Sequence, residues 1–335
     1  MISWIPYELH THTVNSDGSL TVLEMARKAL ELGFKGFALT DHNTISGQLE
    51  IPYVMKEIGI NIIYGMEWTT FYGHMVALGI HEYVDWRDKS IYDIQKGIYE
   101  IHKMGGIAGA AHPYRIGSPM CTGCYWQFDI KDWSKVDYLE VWSEVYPQLN
   151  PTNYRSFRLW TDLLNKGHKI TAVSGRDWHG DDRNKGIAVT YIGLEEGIDH
   201  EKCTLDAIKK GHVTVTLGPI MVLNAKFNSK EYIMGDSINL DDSMDKIEID
   251  VSIDYTSREY MWKIDSEEIR IVFNSNKGNV LEVKVPYGEE SVRTMVDVNE
   301  LMWIRAELYG SMYGKNAMLA FTNPIYLSRV EKNLL

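Results

Sequence analysis

Cysteine is scarce in this 335-residue sequence: there are three, Cys121, Cys124 and Cys203. An odd, low count fits a reducing compartment and excludes a disulfide-stapled fold. Cys121 and Cys124 form a C-x-x-C, but no second pair or His pair follows in register, so we read them as loop thiols rather than a structural zinc site. Long apolar runs are missing too. No stretch approaches the ~20 residues of a membrane span. Residues 1–10 lack the basic and apolar regions of a secretory signal, so a cytoplasmic location is expected. Basic charge is also in deficit. The net charge is −12, which speaks against extended nucleic-acid binding, since phosphate backbones need basic surface. A small anionic substrate remains compatible, because metal ions and a few arginines can reverse the field inside a cleft. Neither G-x-G-x-x-G nor a P-loop occurs, and there is no internal repeat.

What is present is an ordinary globular composition, 44% hydrophobic and 24% charged, long enough to bury a large core. Up to about residue 218, short apolar runs alternate with helical periodicity. The pattern predicts helices over 21–32, 46–58, 90–104, 153–165 and 202–210, and strands over 36–40, 61–64, 74–80, 107–111, 138–142, 170–174 and 187–192. Such alternation predicts a parallel α/β architecture, and about seven units favour a barrel over an open sheet. After Gly218-Pro219 the helical signal fades. Alternating runs such as IMVLNAKF, KIEIDVSI and WIRAELYG predict an all-β sandwich of about 100 residues. The expected division is a barrel over 1–218 and a small all-β domain over 219–335.

The polar residues fall in a pattern. His10 and His12 are two apart, so in a strand both imidazoles face one way. Asp17 sits in a Ser-Asp-Gly turn. Asp41 and His42 follow the strand 36–40, Glu67 follows 61–64, His74 opens a strand, and His112 follows 107–111. Asp177 and His179, again two apart, follow 170–174. Strand C-termini share one rim in an α/β barrel, which is where barrel active sites lie. Imidazoles and carboxylates without thiolates suit Mn²⁺, Zn²⁺ or Fe²⁺. The nine residues His10, His12, Asp17, His42, Glu67, His74, His112, Asp177 and His179 exceed what one ion can use, so two or three ions are expected, with Glu67 bridging.

These motifs, in this order, resemble those of the PHP superfamily, the polymerase and histidinol phosphatase domains, over roughly residues 5–215. The end of the chain, with Thr216-Leu217-Gly218-Pro219 and Gly235-Asp236, is similar to the carbaryl-hydrolase-like CehA/McbA branch. The resemblance implies a distorted (β/α)₇ barrel that hydrolyses phosphoesters. It implies one metal on His10, His12, Glu67 and Asp177, a second on Glu67, His74 and His112, and a third on Asp17, His42 and His179. His81 is the competitor to His74 for its place. Asp41 is expected to orient a ligand imidazole. Arg176, just before Asp177, and Arg115, three residues after His112, are expected to fork onto phosphate oxygens. Glu140, in a strand facing the barrel interior, needs a partner: it either supports a ligand or acts as a base at the rim.

The resulting expectation is a phosphoesterase for a small phosphomonoester or cyclic phosphodiester, working by metal-bound hydroxide attack. Three alternatives stand beside it: a carbamate or carboxyl ester hydrolase using the same site, a short-oligonucleotide nuclease, and a binding protein with a structural metal. Closed structural sites use few ligands, which weighs against the last. The β domain either caps the barrel or mediates homo-oligomerisation.

Overall fold

The computed structural model describes residues 2–117, 123–181, 185–195, 200–241 and 245–329. Cys121, half of the C-x-x-C, lies outside them. The fold is mixed α/β and rich in strand.

β1 (Ile2–Thr11) runs into the loop carrying Asp17. α1 (Val22–Glu31) starts at a capping box: the Thr21 hydroxyl accepts from Glu24 N and the Glu24 carboxylate accepts from Thr21 N. Val22, Met25, Ala26 and Ala29 form its buried stripe, at the spacing of one helix face. Gly33, in the left-handed region at φ 79°, ends it. β2 (Gly36–Leu39), α2 (Ile51–Ile58), β3 (Asn61–Thr70), β4 (Gly73–Leu78), α3 (Ile94–Lys103) and β5 (Ile107–Ala111) follow. Then come β6 (Tyr138–Ser143), α4 (Pro151–Asn165), β7 (Thr171–Gly175), β8 (Val189–Glu195), α5 (His200–Lys210) and β9 (Val213–Thr216). No described helix is long and apolar enough to cross a membrane.

The strand order is β9-β8-β1-β2-β3-β4-β5-β6-β7. Backbone bonds from His12 N to Trp178 O (2.8 Å) and from Trp178 N to His10 O (3.0 Å) tie the exit of β7 back to β1. The parallel sheet expected from the sequence is corrected: β4 pairs antiparallel with both β3 and β5, and β8 pairs antiparallel with both β1 and β9. β3 returns directly into β4 as an antiparallel hairpin, and between β5 and β6 the described residues hold only a 3-10 turn over 133–135. The hairpin was hidden because β3 carries polar residues, Glu67, Thr69 and Thr70, where a buried strand normally reads apolar. Glu67 therefore lies inside the strand rather than after it.

Beyond residue 218 the described elements are strands and one 3-10 turn. Ile220–Phe227, Lys230–Ile233, Lys246–Asp254 and Ser291–Asp297 form a four-stranded antiparallel sheet. In Lys246–Asp254 every second residue is buried, from Ile247 to Ile253. The remaining strands join the large sheet, because Lys315–Thr322 pairs antiparallel with β9. The Asn323 side chain accepts from Ala172 N at 2.8 Å and donates to Ala172 O and Val213 O at 2.9 Å. Sheet and core run across residue 218 without a break: Leu139, Trp160, Phe321 and Val251 belong to one apolar cluster.

Candidate metal centre

β1 brings His10, and His12 follows just past its end; both are buried. The segment after β7 brings Asp177, β3 brings Glu67, β4 brings His74, and the end of β5 brings His112. His112 and Asp177 adopt left-handed backbone, at φ 26° and 56°, which costs a non-glycine residue ~1–3 kcal/mol. Both turns re-aim a side chain at a strand end, where the sheet surrounds one point.

Four groupings converge, their candidate ligand atoms within 4.8 Å of one another, the last of them His10, His112 and Glu140. One is His10, His12, Glu67 and Asp177. The second is Glu67, His74 and His112. The third is Asp17, His42 and His179, joined by His12, which the sequence reading had placed only in the first. Glu67 is shared. Its Oε1 lies 3.3 Å from His10 Nε2, 3.0 Å from His74 Nδ1 and 3.2 Å from His112 Nε2. Its Oε2 lies 2.7 Å from His42 Nδ1, beside the Thr69 hydroxyl, which also contacts that nitrogen. Asp177 Oδ1 lies 2.8 Å from His12 Nε2 and 3.4 Å from His10 Nε2. Asp17 Oδ1 lies 3.1 Å from His179 Nε2 and 3.4 Å from His42 Nε2. His81 sits apart, 2.8 Å from exposed-side Glu201.

Burial and charge conflict here. Burial pushes the His10 imidazole down, but the Glu140 and Glu67 carboxylates overcome it and hold it at about 10. His74 is likewise raised, to about 9, against its burial and mainly by Glu67. His112 has less help and burial takes it to about 4. Burial raises Asp17, yet His179 and His42 bring it down to about 2. Carboxylates that draw protons onto buried imidazoles form a field that favours any cation. The hydrogen bonding agrees. His10 Nε2, His12 Nε2 and Asp177 Oδ1 are buried and make no hydrogen bond, while His10 Nδ1 is engaged by Glu140. Buried polar atoms are normally satisfied. Lone pairs left open around one point, on imidazole and carboxylate, fit a cluster of borderline divalent ions.

The other expected residues divide. Glu140 is buried; its Oε1 is 2.8 Å from His10 Nδ1 and its Oε2 accepts from His112 N at 3.1 Å. It supports two of the clustered histidines. Asp41 is a correction. Its carboxylate accepts from Thr13 N and Ser16 Oγ at 2.7 Å and from Thr13 Oγ1 at 2.9 Å, so it braces the turn that carries Asp17 rather than an imidazole. Arg176 and Arg115 both line a cleft of about 1000 Å³ that opens onto the histidines. The Arg176 guanidinium lies 4.4 Å over the Trp178 ring. Arg115 is bonded to Asp177 and, at 3.0 Å, to Glu144.

Three residues escaped the sequence reading, and a fourth, Cys124, was read only as a loop thiol. Glu8 is buried, accepts from Arg176 N at 2.8 Å and His10 N at 3.2 Å, and is pushed up to about 7 by burial against the pull of Arg176. Glu8 is two residues before His10, so the period-two argument that paired His10 with His12 also reaches it. Thr69, Cys124 and Glu144 line the cleft. Burial raises the Cys124 thiol, but the neighbouring His74 more than offsets this. No spacing motif marks Thr69 or Glu144, and the C-x-x-C of Cys124 does not point to a cleft.

The family described as PHP domain matches residues 8–110. Over 106 residues the chain is 36% identical to an uncharacterised protein of Methanocaldococcus jannaschii, covering 30% of this chain and 53% of that one. Over 75 residues it is 42% identical to a 5′-3′ exoribonuclease of Haemophilus influenzae, covering 22% of this chain and 26% of that enzyme. The chain thus spans about half the length of the first relative and a quarter of the second. A solved two-domain protein of Bacteroides vulgatus, described as containing a predicted PHP-like metal-dependent phosphoesterase, has the same fold. It aligns over 97% of this chain and 96% of its own, with a TM-score of 0.53 at 12% identity. The stretch from 8 to 110 that the PHP domain family matches carries His10, His12, Asp17, His42, Glu67 and His74.

Proposed function

We propose that the protein is a metal-dependent phosphoesterase acting on a small phosphomonoester or cyclic phosphodiester. The observation that carries this is the convergence of nine His, Asp and Glu residues beside two arginines in one cleft. In this reading His10, His12, Glu67 and Asp177 hold one divalent ion. Glu67, His74 and His112 hold a second, and Asp17, His42 and His179, with His12, hold a third. Such ions, as Mn²⁺, Zn²⁺ or Fe²⁺, supply an activated water and Lewis acidity toward phosphoryl oxygens. The protein's own groups do the rest. Glu140 fixes the His10 ring and Asp41 fixes the turn of Asp17. Arg176 and Arg115 take the non-bridging oxygens and stabilise the charge that grows on them. We further propose a distorted (β/α)₇ barrel over 1–218, a sandwich-like β domain over 219–335, and a place in the CehA/McbA-like branch.

A second reading, trimming of short oligonucleotides from the 5′ end, is favoured by the stretch shared with the exoribonuclease. A carbamate or carboxyl ester would use the same site without need of the arginines. The test is turnover by the Mn²⁺- or Zn²⁺-loaded protein of a phosphomonoester, a cyclic phosphodiester, a 5′-phosphorylated oligoribonucleotide and a neutral carboxyl ester. Arg176→Ala should cut kcat/KM on phosphoesters by roughly 10²–10³ and leave metal content intact. If it works at the wild-type rate, phosphate recognition does not run through Arg176, and the carboxyl ester reading moves ahead.

A further inference from the structure

Glu144 is a carboxylate in the cleft wall that the reaction does not call for. It follows β6 in a left-handed backbone conformation, φ 65°, a strain a non-glycine residue bears only when its surroundings hold it. Its two oxygens are both in use. Oε1 lies 3.0 Å from Arg115 Nη2, and Oε2 accepts from Asn150 Nδ2 at 3.4 Å. Asn150 is anchored in turn: its Oδ1 accepts from Thr152 N at 2.9 Å and from Thr152 Oγ1 at 2.8 Å, which makes it the N-cap of the 15-residue helix α4. Arg115 completes the chain through its other amino group, Nη1, on Asp177. Glu144, Asn150, Thr152, Arg115 and Asp177 all line the cleft.

An arginine on a loop has four side-chain torsions to freeze, and immobilising so long a side chain at the moment of binding weakens affinity. A guanidinium already clamped between two carboxylates has met that cost in the folded protein. Its five N–H donors exceed the two engaged by Glu144 and Asp177, so it can receive an anion without letting go of either. Asp177 alone would not serve, because its Oδ1 faces His12 and His10 in the metal centre. Glu144 makes no contact with the clustered histidines among the described hydrogen bonds and ion pairs; its partners are Arg115 and the α4 cap.

We propose that Glu144 is a positioning residue: braced by the Asn150 cap of α4, it holds Arg115 at the metal cleft in the orientation that binds the substrate's phosphoryl oxygens. The proposal rests on the phosphoesterase reading. It differs from a purely structural ion pair in where its loss is felt, in substrate anion binding rather than in fold or metal content.

The experiment is a double-mutant cycle of Glu144→Gln and Arg115→Ala in the Mn²⁺-loaded full chain. Gln keeps the size and the bond to Asn150 but removes the charge. Two quantities are read: KM and kcat on a phosphomonoester, and the affinity for inorganic phosphate by calorimetry. Losing a charge-assisted bond to the guanidinium should weaken phosphate binding and lower kcat/KM about tenfold. Arg115→Ala should cost at least as much, and the double variant no more than Arg115→Ala, because Glu144 acts only through Arg115. Glu144→Asp should rescue in part. Melting temperature and metal content should match the wild type in both single variants.

Unchanged phosphate affinity in Glu144→Gln, or losses that add in the double variant, overturns the proposal. Loss of metal from Glu144→Gln overturns it as well, since Glu144 would then act through Asp177. If the wild type turns over no phosphoester yet its phosphate affinity still falls in Glu144→Gln, the positioning role stands and the phosphoesterase reading falls. If the wild type neither binds phosphate nor turns over a phosphoester, both fall.

Discussion

Both halves of this chain bury charge, and they treat it in opposite ways. In the C-terminal half Arg305 is buried, and its charge is answered. Nε donates to Glu307 at 2.9 Å and Nη1 to Thr161 Oγ1 at 3.0 Å, while the Tyr309 hydroxyl donates to the second Glu307 oxygen at 2.8 Å. The guanidinium packs 4.4 Å from the Phe157 ring, 4.6 Å from Trp160 and 5.1 Å from Trp303. In the N-terminal half the buried histidines and carboxylates surround one point and leave His10 Nε2, His12 Nε2 and Asp177 Oδ1 without hydrogen bonds. A paired buried charge serves the fold, whereas unbonded imidazole and carboxylate atoms aimed at a common centre are a standing cost that a bound cation would offset. Removing groups from the two halves should therefore give different signatures.

The largest effect should come from taking the cations away. Chelation should reduce hydrolysis to background, and Mn²⁺ or Zn²⁺ should restore it. Glu67→Gln should lower kcat by about 10³-fold, the several kcal/mol that divalent ions contribute to transition-state charge. Asp17→Asn should cost less, because among the described ion pairs Asp17 touches His42 and His179 alone while Glu67 faces five histidines. Equal losses at matched metal content would break the shared-carboxylate assignment. Chelation should also lower the melting temperature, since ions that bind only the folded state stabilise it.

Arg305 is the counter-experiment. Arg305→Ala leaves Glu307 buried without its cation, which should cost ~3–5 kcal/mol of stability in denaturant unfolding. Metal content and kcat of the folded fraction should not change. Phe157, Trp160 and Thr161 lie on α4, so the Arg305 cluster fastens the C-terminal strands to the N-terminal half. A drop in metal affinity that accompanied the loss of stability would show that the two halves are not separable in this way.

The sequence made the site more legible than the sheet. Period two found His10 with His12 and Asp177 with His179, because that rule is local. The strands Ile107–Ala111 and Ile220–Phe227 begin and end where their apolar runs do. β9, by contrast, was missed. One of its two partners, Lys315–Thr322, lies about a hundred residues away, and the β-branched run Val-Thr-Val-Thr is only four residues long. The β3–β4 hairpin was missed because β3 gives up apolar positions to Glu67 and Thr69, so function erased the strand signal. Glu144 was unreadable for a related reason: its position depends on a left-handed turn and on the cap of α4, neither of which has a spacing rule. The boundary at 218 marks a real change in pattern, from helix-bearing to almost wholly strand, yet the large sheet passes through it.

The smallest of these effects is also the sharpest test of the contrast between the halves, because it removes a charge from a residue that none of the three proposed ions uses. Glu140 bonds His10 Nδ1 and His112 N but belongs to neither of the groupings built on Glu67. While its carboxylate accepts from His10 Nδ1, the ring is held with Nε2 turned to the centre. In Glu140→Gln the amide must choose. If its oxygen accepts from His10, its NH₂ is set against the His112 N–H, donor facing donor. If it flips, its NH₂ donates to His10 Nδ1 and moves the ring proton to Nε2, where a cation would have to displace it. Either way the centre loses one negative charge and one well-made bond. Partners of this kind typically affect metal affinity by 10–100-fold, so titration of the apoprotein with Mn²⁺ or Zn²⁺ should show a loss in that range, with kcat at saturating metal close to wild type. Stability of the metal-free protein should change little beside the loss caused by Arg305→Ala. The opposite pattern, unchanged metal affinity with a large fall in kcat, would make Glu140 a group that acts on the substrate, and would move it from the support of His10 to the reaction itself.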